Sequence, residues 1–123
     1  MAAPAPRSLK FNRAMRIKQG RDFSRVRQEG QRLVRGCLIA NWLRLPPSAS
    51  PRLGVVTGGR IGNAVVRNRA RRLLREVFRV HQQDLTQPVD LVLVARPSIA
   101  GKRFADVEKD FLTTLRQTGL LKE

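Results

Sequence analysis

Residues 65–75 read VVRNRARRLLR, with five arginines in eleven positions and Asn68 as the only other polar residue. Arginine presents a planar fork of donors that fits phosphate, so this run points to polyanion binding rather than to bond-breaking chemistry. Wound as a helix, residues 64–81 separate into two faces. Val66, Ala70, Leu73, Leu74, Val77 and Val80 form one apolar stripe. Arg71, Arg72, Arg75 and Arg79 stand opposite it around Asn68, while Arg67 and Arg69 flank the stripe. Arg71, Arg75 and Arg79 follow at four-residue steps, and each such like-charge pair costs roughly 0.2–0.5 kcal/mol. Glu76 is the only acid on the segment. A merely solvated basic surface would have glutamates interspersed. A helix laid along a phosphate backbone needs none, and there Asn68 serves as a donor to phosphate or ribose.

No catalytic constellation competes with this face. His81 is the only histidine, and it reads as a structural or solvent-facing residue at a helix end. No Ser-His-Asp set, carboxylate pair or metal-ligand spacing stands out. The single cysteine, Cys37, excludes an internal disulfide and a cysteine-based zinc site. It lies in an apolar run, which predicts a buried, inert thiol and a reducing compartment. The chain thus reads as a binding protein without catalytic residues or a metal of its own.

Charge locates the binding surface. Twenty-five Lys and Arg against nine Asp and Glu give a net charge of +16. Residues 1–81 carry nineteen of the basic residues and three acids, whereas residues 82–123 carry six of each. One part of the chain therefore holds the whole excess, as suits one face for a polyanion. No run approaches the roughly 18 apolar residues that span a bilayer, so no membrane role and a cytoplasmic location are expected.

Several elements must position the arginines. At 123 residues one domain is expected, spanning 21–118 between a flexible basic tail (1–20) and a short C-terminal tail (119–123). The tail has no acid before Asp22 and superficially resembles a transit peptide, but its prolines and single serine argue against that. Asp22 is expected to cap a short helix, DFSRVRQEG, closed by Gly30. QRLVRGCLIANWLRL reads as two strands split near Arg35-Gly36, and RLGVVTG as a third. Gly58, Gly59 and Gly62 lead to Asn63, an N-cap for the arginine helix at about 64–81. VDLVLVA (89–95) has the continuous apolarity of a central strand. Phe104, Val107, Phe111, Leu112 and Leu115 then mark a packing helix over about 103–118 with no chemistry assigned. The order α-β-β-β-α-β-α predicts an α/β fold, one four-stranded sheet with helices packed on it as a two-layer α+β sandwich.

RLGVVTGGRIGNAVVRNRARRLLREVFR, with RDFSRVRQEG upstream and DLVLVARP downstream, closely resembles the protein subunits of bacterial ribonuclease P over about residues 16–117. The resemblance implies a ribosomal-protein-S5-domain-2-like sandwich with a left-handed β-α-β crossover, against the usual right-handed rule. It implies a protein, monomeric alone, that assists a catalytic RNA in removing the 5′ leader of precursor tRNA, with Mg²⁺ bound chiefly by RNA. Arg67, Asn68, Arg69, Arg71, Arg72 and Arg75 match the family's RNA-subunit motif, and Arg79 extends that face. The resemblance also implies a leader-binding cleft between the sheet and the first helix, where Phe23, Arg60 and Arg96 fall at family positions. On pattern alone Phe23 reads equally as core or cleft. The alternative class is a ribosomal or other structural RNA-binding protein, or an RNA chaperone.

The chain departs from the family in places. Arg27 stands where a second aromatic often follows Phe23, and Ala40-Asn41-Trp42 where an aromatic often sits in the second strand. Thr57-Gly58-Gly59-Arg60 replaces the usual S-K-K, and tyrosine is absent. Base stacking on an aromatic is worth roughly 1–3 kcal/mol, so such a cleft relies more on charge. Trp42 has two readings, a substitute stacking platform or a core residue.

Overall fold

A computed structural model describes residues 13–122. Along the chain run α1 (Gly20–Glu29), β1 (Gln31–Arg35), β2 (Leu38–Arg44), β3 (Arg52–Val56), α2 (Ala64–His81), β4 (Val89–Ala95) and α3 (Phe104–Thr118). The strands form one sheet in the order β1-β2-β4-β3, antiparallel except for the β3–β4 pair. β4 is central, as its near-continuous apolar run predicted, and α2 is the crossover between two parallel neighbours.

Alternation along the strands sorts side chains to the two faces of the sheet. Leu38, Ala40, Trp42, Leu53, Leu91 and Leu93 face one way and join Ala70, Leu74, Val77 and Phe78 of α2 and Val107, Phe111 and Leu115 of α3 in the main core. The other face is covered by α1, where Val26 packs with Ile17 and Val92, and Phe23, Leu43, Val56 and Val94 lie around them. The expected two-layer sandwich thus gains a third, partial layer. Gly54 makes that layer possible. A Cβ at this position would lie 2.5 Å from Cε1 of Phe23, so the missing side chain lets the ring settle onto β3.

Several boundaries differ from expectation. Residues 1–12 of the expected tail lie outside the described residues. Residues 13–19 are not tail. Arg16 bridges to Leu53, the Ile17 N–H donates to the Leu53 carbonyl at 2.9 Å, and Ile17 is buried. The reason is that β3 is an edge strand, with backbone groups available for pairing. Residues 119–122 also pack. Gly119 adopts φ 77°, Leu120 donates to the Leu115 carbonyl at 2.9 Å, and Leu120 is buried while Leu121 bridges to Leu85. A left-handed glycine turns the chain back over the helix end, which a reading by composition does not see. Asp22 is not a cap, since α1 begins two residues earlier with Gln19 at its N-cap. The apolar stripe of α2 is broader than expected on one side, because Phe78 is fully buried between the sheet and α3.

Candidate nucleic-acid interface

The loop before α2 is built to start that helix sharply. Gly62 takes φ 142°, and Asn63 caps the helix by accepting a hydrogen bond from the Val66 N–H at 3.1 Å. Ala70, Leu74, Val77 and Phe78 then anchor the helix, and the arginines are carried on its remaining surface. Asn68, Arg69 and Arg72 are exposed, whereas Arg67, Arg71, Arg75 and Arg79 are half-buried.

These side chains do not share one state. Arg67 donates from Nη1 to the Gly62 carbonyl at 2.7 Å, so it staples the helix to its own lead-in loop. Arg71 donates to Asn68 Oδ1 at 2.7 Å, which leaves the amide nitrogen of Asn68 as its donor toward solvent. Arg79 pairs with Glu76, Nε to Oε2 at 3.0 Å. Arg75 is held below the ordinary arginine range, first by burial and then by the charges of Arg16 and Arg71. It remains cationic at neutral pH all the same. The like-charge crowding expected from the spacing is therefore present, and the segment before α1 adds to it through Arg16. The side chains of Arg69 and Arg72 make no hydrogen bond or ion pair among the described residues. A phosphate would relieve this face.

On the opposite side of the sheet lies α1, with Phe23 of the second expected surface. α1 is pinned there by Asp90, a fully buried carboxylate on β4 that accepts from Arg52 and Arg25. Asp22 of α1 lies 3.7 Å from Arg52 and completes the cluster. Hydrogen bonding to Asp90 raises the Arg52 pKa further, against the opposing effect of burial. Phe23 lies half-buried over Gly54, at the edge between α1 and the sheet. Beyond it, strand register aligns Val34, Ile39, Val94 and Val56 in one row across all four strands. Val34 is 40% exposed, so part of this aliphatic row is open to solvent.

The other cleft residues distribute unevenly. Arg60, in the turn after β3, and Arg96, just after β4, follow adjacent parallel strands and so share one end of the sheet. Arg96 donates to the Gly36 carbonyl at 3.0 Å, which ties it to the β1–β2 turn. Arg27 is exposed on α1. Trp42 does not join them. It is buried in the main core on the α2 and α3 side, and the β2 residues on the α1 face are Ile39, Asn41 and Leu43. A one-residue offset along a strand reverses the face, so Trp42 cannot replace the missing aromatic.

Sequence reasoning missed the Arg52–Asp90–Arg25 cluster. The single acid inside VDLVLVA was its one available signal, because a buried strand tolerates a carboxylate only when it is paired.

The family model of ribonuclease P matches residues 11–119, which include the arginine helix and the residues expected at the second surface. The chain belongs to the ribonuclease P protein family. It is 37% identical over 110 residues to the ribonuclease P protein component of Gluconacetobacter diazotrophicus, covering 89% of this chain and 95% of the relative. With the component from Chloroflexus aggregans it shares 38% identity over 116 residues, covering 90% and 82%. The RNase P protein of Staphylococcus aureus shares its fold with a TM-score of 0.79 at 24% identity, over 89% of this chain and all of that one. The RNase P protein of Thermotoga maritima superimposes with a TM-score of 0.73 at 25% identity, covering 83% and 96%. No helix among the described residues is long and apolar enough to cross a membrane.

Proposed function

We propose that this chain acts in the cytoplasm as the protein subunit of ribonuclease P, monomeric alone, binding the catalytic RNA through α2 and the 5′ leader of precursor tRNA through the cleft beside α1. The observation that carries this reading is the outer face of α2, where seven positions of the family's basic motif and its extension are presented with one acid among them. The cleft supports the second half. An open aliphatic row and the half-buried ring of Phe23 offer surface to unstacked bases, and Arg27, Arg60 and Arg96 offer charge to the leader's phosphates. The sheet separates the two surfaces, so the protein bridges catalyst and substrate without either RNA competing for the same side chains.

The bond-breaking chemistry belongs to the RNA in this reading, with Mg²⁺ held by RNA oxygens. Asp90 and Glu76 are already committed to guanidinium groups, which makes them poor ligands for that ion. What the protein contributes is positive charge that draws the two polyanions together, a role most visible when Mg²⁺ is scarce. Reconstitution with a bacterial ribonuclease P RNA tests this. The protein is expected to permit precursor tRNA cleavage at Mg²⁺ concentrations where the RNA alone is inactive. Equal stimulation by an unrelated protein of the same charge would sink the assignment in favour of a general RNA chaperone.

A further inference from the structure

Between the flank of α2 and the first turn of α3 lies an open groove of about 570 Å³. Its floor is apolar, formed by Leu73 and the ring of Phe104, both half-buried against the main core. Its rim is basic, formed by Arg69, Arg72, Arg75 and Arg79. Among the described residues Glu76 is the only acid lining it, and Arg79 already occupies that carboxylate.

A phosphate backbone alone does not account for this shape. Phosphates are satisfied by guanidinium groups on a convex helix surface and gain nothing from carbon beneath them. Leu73 and Phe104 are covered favourably only by a ligand with an apolar face. An unstacked nucleotide combines both requirements, a planar base with phosphates on either side. Paired bases in an RNA helix are stacked and poorly reached, so the base must come from a loop, bulge or end.

We propose that this groove seats one unpaired base of the catalytic RNA, with the base on Phe104 and Leu73 and its flanking phosphates on Arg69 and Arg72. The proposal rests on α2 being the RNA-subunit face and adds to it a base contact supplied from α3. It makes Phe104 a binding residue brought to the arginine helix by tertiary packing.

The test uses the full-length protein, a bacterial ribonuclease P RNA, and a fully paired RNA duplex as the control probe. The native protein is expected to bind the ribonuclease P RNA more tightly than the duplex at equal salt. Phe104→Leu keeps an apolar side chain but removes the ring. It is expected to weaken binding to the ribonuclease P RNA by roughly 5- to 100-fold, as loss of one stacked base implies. Duplex affinity and the salt dependence should not change, because no phosphate contact is lost. Phe104→Tyr should bind like the native protein. A Phe104→Leu protein with native affinity, or with equal loss on both RNAs, overturns the base seat while leaving the arginine face in place. A native protein with no preference for the ribonuclease P RNA would instead overturn the reading of α2. Chemical probing of base edges gives a second readout that does not depend on any variant folding. At least one unpaired base should become protected when the native protein binds, and no such protection would also overturn the seat.

Discussion

Arg52 holds Asp90 with two parallel hydrogen bonds, Nε to Oδ1 at 2.9 Å and Nη2 to Oδ2 at 2.8 Å. Arg25 of α1 reaches the same carboxylate at 3.1 Å. Asp90 lies fully buried on the central strand, so one acid joins an edge strand, the sheet centre and the helix that borders the cleft. The fork of Arg52 fits the carboxylate bidentately, a geometry that lysine cannot reproduce.

Asp90→Asn keeps the shape of the side chain but removes the charge opposing two guanidinium groups. Breaking a buried ion pair from one side costs about 3–5 kcal/mol, and partial exposure of the arginines favours the lower end. A fall in Tm of roughly 10–20 °C is expected for a domain of this size. Thermal unfolding checks this, and a variant that melts like the native protein would show that Asp90 does not pin α1.

Arg69 and Arg72 separate binding from folding, because neither side chain makes a hydrogen bond or ion pair among the described residues. Arg69→Ala and Arg72→Ala should each change stability by less than about 0.5 kcal/mol. Each should also reduce the slope of log affinity against log salt by about 1 if it neutralises one phosphate. Arg67→Ala should behave differently, losing about 1 kcal/mol of stability with its bond to the Gly62 carbonyl. Binding titrations at several salt concentrations, beside melting curves, distinguish the three. An equal loss of stability among them would contradict the division of roles.

His81 gives the fold a pH dependence. Its Nδ1 lies 2.7 Å from Asp84 Oδ2 and its Nε2 lies 2.8 Å from Glu108 Oε2, which ties the end of α2 to α3. Burial of the ring opposes its charge, but the bonds to Asp84 and Glu108 outweigh this and raise its pKa above the ordinary value. Because the folded pKa is the higher one, the contribution is fully present below the unfolded value of about 6.5. It is lost as pH rises through the folded pKa. His81→Gln should therefore cost about 1 kcal/mol at pH 6 and less at pH 9. Unfolding of both proteins across this range checks the sign, and a penalty that grows with pH would refute it.

The expectation for His81 shows where reading along the chain stops. Along the chain it is a lone histidine, because Glu108 belongs to a different element, a packing helix to which the sequence assigns no chemistry. Only the packing of α3 on α2 brings the second carboxylate to the ring.

Local periodicity carried much of this protein. The alternation of arginine and aliphatic residues in 64–81 contained the helix, its N-cap at Asn63 and the separation of core from basic face, because those depend on residues within a turn or two of one another. VDLVLVA likewise announced the central strand through its unbroken apolarity. Tertiary structure decided what depends on partners distant in sequence. It placed Trp42 in the core and turned Asn41 toward the α1 face, since sheet register assigns the face. It set Phe23 over Gly54, closed Arg52 and Arg25 on Asp90, and carried Phe104 from an ordinary packing helix to the edge of the arginine surface. Charge and periodicity are properties of neighbours along the chain, whereas a cleft or a groove exists only once separate elements have met.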